Sequence, residues 1–130
     1  MAVIGDADAI SRALLNLLNN ALKYVQRGGS VTVEVRNFNG NGQLVVQDNG
    51  PGIPKESIPH LFDRFFRIEA PETGRAGGSG LGLAIVKAII DAHQGSIKVI
   101  SKEGEGTKFE ILLPTNPHRH PYLDLLAGKR

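Results

Sequence analysis

Asn16, Asn20 and Lys23 are the first residues along the chain whose types and spacing suggest chemistry. A helix advances about 100° per residue. With Asn16 at zero, Asn20 lies roughly 40° away, Lys23 about 20° to the other side and Tyr24 about 80° round. Asn19 falls on the same side, while Leu14, Leu17, Leu18, Ala21, Leu22 and Val25 take the opposite face. The ordinary reading of such a polar face is simple solvation. Asparagine, however, is a poor helix former, so three within five positions cost stability. A solvated face would more often carry charges in i,i+4 pairs. Amide oxygens at i and i+4, with a lysine at i+7, suit a cation and a phosphate instead. Mg²⁺ takes oxygen ligands and usually keeps substrate phosphates and waters. A neutral amide fits there because phosphates already supply the negative charge.

Two glycine clusters add to this. "DNGPGI", Asp48 to Ile53, sets a carboxylate at a strand end before two glycines. It reads either as a plain turn or as a base pocket. In the second reading Gly50 and Gly52 admit a planar ring, and Asp48 accepts a hydrogen bond from an exocyclic amine. Adenine has that amine. Guanine offers a carbonyl there, which mismatches a carboxylate by on the order of 1–3 kcal/mol. "GGSGLGLAIVKAII", Gly77 to Ile90, opens a helix with glycines at 77, 78, 80 and 82. Free N–H groups at a helix start favour an anion. The segment has neither P-loop nor dinucleotide-fold spacing. "GEGT", Gly104 to Thr107, reads by itself as a hairpin turn.

The elements that must position these residues follow from periodicity. Asp6 or Asp8 caps a helix reaching about Gln26. Ser30 to Asn37 alternates as a half-buried strand, "NFNGNG" is a turn, and Leu44 to Gln47 is the returning strand. A short helix is expected near Glu56 to Asp63, and a mobile loop over Arg67 to Ser79. A second helix runs from about Gly80 to His93. A second hairpin, Ser96 to Ser101 and Lys108 to Leu113, closes around "KEGEGT". This order predicts an α+β domain with helices on one face of a largely antiparallel sheet.

The chain's 130 residues, 41% hydrophobic and 22% charged, fit one soluble domain. No apolar run has the length of a membrane span and no signal peptide opens the chain. With no cysteine, disulfides and thiolate metal sites are excluded, which fits a reducing cytosol. A net charge of +2, with scattered lysines and arginines, argues against nucleic acid as a partner. Residues 1–114 form the expected domain. Residues 115–130, Pro-broken and basic, are read as a tail, either disordered or appended. His93, near a helix end, is read as complementing the helix dipole.

Together these segments resemble the ATP-binding catalytic domain of sensor histidine kinases. That domain falls in the superfamily of DNA gyrase, the heat-shock ATPase chaperones and the mismatch-repair ATPases. "NLLNNALKY" is similar to its N box, and "DNGPGI", "GSGLGL" and "GEGT" to its three glycine boxes. "LFDRFFR", Leu61 to Arg67, is similar to its F box, which the other branches lack. Each motif is weak alone, but five in order are specific.

The resemblance implies the Bergerat fold, a two-layer α/β sandwich of about three helices on one face of a mixed, mostly antiparallel sheet. It implies ATP and Mg²⁺ as cofactors, with Asn20 the metal ligand and Asn16 beside it. Lys23 would contact the phosphates and Tyr24 flank the nucleotide. Asp48 would bind the adenine amine, with Gly50, Gly52 and Ile53 forming that pocket and Thr107 near it. Gly78, Gly80 and Gly82 would line the phosphate end, with Leu81 and Leu83 beneath. Phe62, Phe65 and Phe66 would anchor a lid. Arg67 is expected at the γ-phosphate, ahead of Arg64 and Arg75.

The family's first strand, ahead of Asp6, is not found, so a four-stranded sheet or an exposed edge is expected. None of the four histidines has a phosphoacceptor context. The implied function is therefore an ATP-binding half-enzyme. It would present the γ-phosphate to a histidine on a separate domain, with a response regulator downstream. The domain itself would be cytoplasmic and monomeric, and its parent a homodimer, anchored in the inner membrane or not. A serine kinase or anti-sigma switch of the same superfamily is the alternative, and a decayed, non-enzymatic domain the third reading.

Overall fold

The structure, a computed structural model, describes residues 6–66 and 81–114. The loop expected over Arg67 to Ser79 and the tail at 115–130 lie outside the described residues.

Helix α1, Ala7–Tyr24, begins where Asp6 accepts the N–H groups of Asp8 and Ala9 at 3.0 and 3.2 Å. That side chain satisfies two of the donors a helix start leaves open. The helix stops two residues before the expected Gln26, because Val25 is already extended. Strands β1, Val31–Phe38, and β2, Asn41–Asp48, follow as a hairpin. Its two-residue loop holds Asn39 and Gly40 at φ 52° and 82°, the backbone that matches strand twist. The short helix expected over 56–63 is instead a 3₁₀ helix, Lys55–His60. Pro59 inside it has no N–H to give to an α-helical bond. Helix α2, Gly82–Ala92, leads into β3, Ser96–Lys102, and β4, Gly106–Pro114. The described helices are thus two α-helices and one 3₁₀ turn.

The sheet has the order β1-β2-β4-β3. Every pairing among the described residues is antiparallel, so this sheet is not mixed. Two hairpins set side by side produce that pattern without a parallel crossover.

Register sorts the helix-facing residues into rows running across the strands. Val46, Phe109 and Val99 form one row, and Leu44, Ile111 and Ile97 the next. Ala13 and Leu17 of α1, with Val86 and Ile90 of α2, close over them. Burying a side chain such as Leu17 or Phe109 contributes about 1.5–3 kcal/mol.

Two expectations change at the periphery. β1 is not half-buried: Val33 is 41% and Val35 68% exposed. It is an edge strand, beyond the part of the sheet that the helices cover most closely. Leu22, assigned to the apolar face of α1, is also exposed, as is Leu15. The buried stripe is the narrower Ala13, Leu17 and Ala21.

His93 does more than face a helix dipole. Its Nδ1 lies 2.8 Å from the Ile89 carbonyl, and its Nε2 accepts the Asp6 N–H at 3.0 Å. The ring thereby ties the end of α2 to the start of α1, the two helices that carry candidate site residues.

Candidate functional site

One step beyond the apolar rows, the same register places Asp48, Thr107 and Ser101 side by side on β2, β4 and β3. Side chains directly opposite on adjacent strands sit about 4.5–5.5 Å apart at Cβ. The sandwich therefore ends in a polar row.

Asp48 is half-buried. Its Oδ1 accepts the Gly50 N–H at 2.8 Å, and the Thr107 N–H also bonds the carboxyl. Burial pushes its pKa above the ordinary 3.8, against the pull of those two N–H groups. The carboxylate is thus held in place, yet short of solvation, and a further donor would stabilise its charged form.

Close backbone approach explains the glycines. A Cβ on Gly50 would lie 3.0 Å from Asp48 Oδ1 and 3.4 Å from the Tyr24 carbonyl oxygen. The end of α1 therefore abuts the Asp48 loop. Gly52 and Gly106 both take positive φ, 79° and 95°. A Cβ would overlap the Lys102 carbonyl at the first and the Asp48 carbonyl at the second. Ile53 is buried, and its N–H reaches Ser101 Oγ at 2.8 Å. Asn49 fastens the loop after α1, accepting the Ser30 N–H at 2.8 Å.

The middle of α1 carries the second cluster. Asn16 Oδ1 lies 3.9 Å from where a Cβ of Gly82 would sit, so this amide adjoins the start of α2. Its Nδ2 is buried with no partner among the described residues. A buried amide without a partner costs on the order of 1–3 kcal/mol, and an oxygen-rich ligand would relieve it. Asn20 lies one turn along the same face. Lys23 Nζ stands 5.9 Å from the Tyr24 ring centroid. Leu81 precedes the first turn of α2, and Leu83 is half-buried within it.

Tyr24, Asp48, Gly50, Gly52, Ile53 and Thr107 are thus assembled at the C-terminal end of α1, and Asn16 and Gly82 meet beside its middle. Residues 16 and 24 are about 12 Å apart along α1, so a ligand touching both clusters is elongated. Gly78, Gly80, Arg67 and Arg75 lie outside the described residues. Arg64 is described and exposed. The F-box phenylalanines diverge: Phe62 meets Phe109 edge-on at 6.5 Å, and Phe66 approaches His60 at 5.6 Å. Phe65, at φ 67°, is 68% exposed.

Ser101 was not among the residues expected at the site, and Asn49 and Gly106 were expected only as members of their glycine motifs. Ser101 had a signal. It continues the core-facing alternation of Ile97 and Val99 with a hydroxyl.

A family model described as histidine kinase-, DNA gyrase B- and HSP90-like ATPase matches residues 5–117. The chain is 38% identical over 128 residues to the sensor-like histidine kinase SenX3 of Mycolicibacterium smegmatis, covering 98% of this chain and 33% of that protein. The structure of the mycobacterial sensor histidine kinase MprB matches with a TM-score of 0.77 at 39% identity, covering 88% of this chain and 78% of that one. Full-length ShkA in complex with AMPPNP matches with a TM-score of 0.74 at 28% identity, covering 86% of this chain and 22% of that one. The chain spans about a third of the length of SenX3. It belongs to the histidine kinase-, DNA gyrase B- and HSP90-like ATPase family, as the catalytic ATPase domain of a sensor histidine kinase.

Proposed function

We propose that this domain binds Mg·ATP and presents the γ-phosphate to a histidine on a separate phosphoacceptor domain of its parent kinase. The observation that carries this is the half-buried Asp48 carboxylate, fixed by two N–H groups and lacking full solvation. It suits the amine of adenine and rejects the carbonyl of guanine. The AMPPNP complex of the similar ShkA supports the same ligand class.

The residues present fit a magnesium ion of one kind only. No group of three or more His, Cys, Asp or Glu that could hold a metal exists among the described residues. The amide oxygen of Asn20 would share the ion with the phosphates, as Mg²⁺ commonly requires, with Asn16 beside it. An ion held there would supply charge neutralisation for the triphosphate. The chain's own part is positioning: Asp48 holds the base, α1 sets the distance to the phosphates, and Lys23 offers a further positive charge. Catalysis by positioning and charge is typical of phosphoryl transfer. Arg67 is assigned to the γ-phosphate on the resemblance alone. The phosphoacceptor domain and a response regulator are the partners in this reading. The isolated domain is a monomer and its parent a homodimer. No described helix is long and apolar enough to cross a membrane.

Calorimetry with ADP, with and without Mg²⁺, tests the reading. Asp48→Ala should abolish nucleotide binding, and Asn20→Ala should remove the Mg²⁺ dependence. Unchanged affinity in both variants would refute it.

A further inference from the structure

Helices α1 and α2 run antiparallel, and a contact near each end of α2 fixes how far one has slid along the other. At its C-terminal end, His93 Nε2 accepts the Asp6 N–H at 3.0 Å. At its start, the site of a Gly82 Cβ lies 3.9 Å from Asn16 Oδ1. Residues 6 to 16 span about 15 Å of α1, and residues 82 to 93 about 16 Å of α2. The two contacts therefore match in length. Between them lie Ala13, Leu17, Val86 and Ile90 of the core. Apolar burial is non-directional and tolerates a small slide, whereas a hydrogen bond weakens steeply once its angle drifts. The His93 ring is itself held, with Nδ1 2.8 Å from the Ile89 carbonyl. A carbonyl can only accept, so Nδ1 carries the imidazole proton and Nε2 presents a lone pair. Asp6 is fixed as well, because its carboxylate caps α1 through the N–H groups of Asp8 and Ala9.

We infer that His93 is a positioning residue for the phosphate end of the nucleotide site, setting the register of α2 against α1 so that Gly82 stands beside Asn16. This rests on the nucleotide reading of the site and deepens it. Asn16 is the residue there with most to gain, since its buried Nδ2 has no partner among the described residues. The other end of the site depends on different elements. Asp48, Gly50 and Thr107 are held together by hydrogen bonds among β2, its following loop and β4. His93 therefore governs the affinity gained from the phosphates and leaves that of the base. It stands at the far end of α2 from Gly82, touches no ligand, and acts through the placement of the helix.

The test measures binding of adenosine, ADP and ATP, with Mg²⁺, to the full chain and to its His93→Asn and His93→Gln variants. Thermal melting confirms that each variant is folded. The asparagine amide donates from near the Nδ1 position, so it keeps the Ile89 bond but falls short of Asp6. The glutamine oxygen reaches the Nε2 position and accepts the Asp6 N–H. His93→Asn should weaken ADP and ATP about three- to tenfold, the weight of one hydrogen bond. Adenosine should change less than about twofold. His93→Gln should bring ADP and ATP back to within about twofold of the unaltered chain. Equal weakening of all three ligands, or asparagine and glutamine variants that behave alike, would overturn the inference. Nitrogen NMR of His93 in the unaltered chain is a second test, independent of how the variants fold. The proton is expected on Nδ1 with Nε2 bare, and a proton on Nε2 would overturn the inference. The unaltered chain also separates the two levels. If it binds ADP no tighter than adenosine, the nucleotide reading of the phosphate end fails. If ADP binds tighter and His93→Asn keeps that gain, only the role of His93 fails.

Discussion

The helix-facing side of one sheet does two different jobs a single residue pair apart. The rows Val46–Phe109–Val99 and Leu44–Ile111–Ile97 are roofed by α1 and α2. The next row, Asp48–Thr107–Ser101, is bounded by the glycine loop and by the turn before β4. Apolar rows stabilise the fold by burial. In the polar row, burial raises the Asp48 pKa, so its ionised form is held at a cost to the empty fold. The strands that make the core rigid therefore also fix the groups that bind, and the two effects should separate under mutation.

The largest separation should come from Phe109→Ala. Removing a fully buried ring costs about 3–5 kcal/mol, visible as a lower midpoint in urea unfolding. Protein that remains folded should still bind nucleotide. A midpoint unchanged within error would break the comparison on the core side.

Gly106→Ala should damage both functions at once. The positive φ costs on the order of 1–3 kcal/mol for a non-glycine residue. The added Cβ also strikes the Asp48 carbonyl. Lower stability together with weaker nucleotide binding is expected. Loss of stability with intact binding would show that the turn does not position Asp48.

Asp48→Asn should act oppositely on the two functions, and pH gives its sign. The folded pKa of Asp48 lies above the ordinary 3.8. Between those two values the folded state binds more protons than the unfolded one, so stability falls as pH rises. That contribution is fully present below 3.8 and gone above the folded pKa. The asparagine variant lacks the slope, so the difference between the two stability curves should follow this sign. Nucleotide affinity should fall in the variant, and should fall in the natural chain as acid neutralises Asp48. A difference curve of the opposite slope would contradict the burial assigned to this carboxyl.

Smallest are the changes outside both rows. Gly82→Ala meets Asn16 only at ordinary contact distance, and α2 should gain up to about 0.5–1 kcal/mol. Val35→Thr, on the exposed edge, should stay within about 0.5 kcal/mol.

Much of this was legible in the sequence because it rests on local periodicity. The α1 stripe, both hairpins and the glycine punctuation each announce themselves within a few residues. Asp48 was legible as a carboxylate at a strand end. What escaped depends on register. The row joining Asp48, Thr107 and Ser101 draws on three strands, and no local pattern states that pairing. Ser101 was hidden for this reason, though its place in the Ile97–Val99 alternation marked it as core-facing. The exposure of Val33 and Val35 escaped likewise, since alternation shows that a strand has an apolar face and not which strand lies at the edge. The 3₁₀ geometry near Pro59 turns on a missing N–H, which the proline announces and helical spacing does not.

The most direct measurement is a crystal structure of the full chain grown with Mg²⁺ and a non-hydrolysable ATP analogue. The account predicts the adenine amine on the Asp48 carboxylate beside Thr107, with the phosphates toward Asn16 and the start of α2. A nucleotide bound away from Asp48, or with its base pointing out of the polar row, would contradict it.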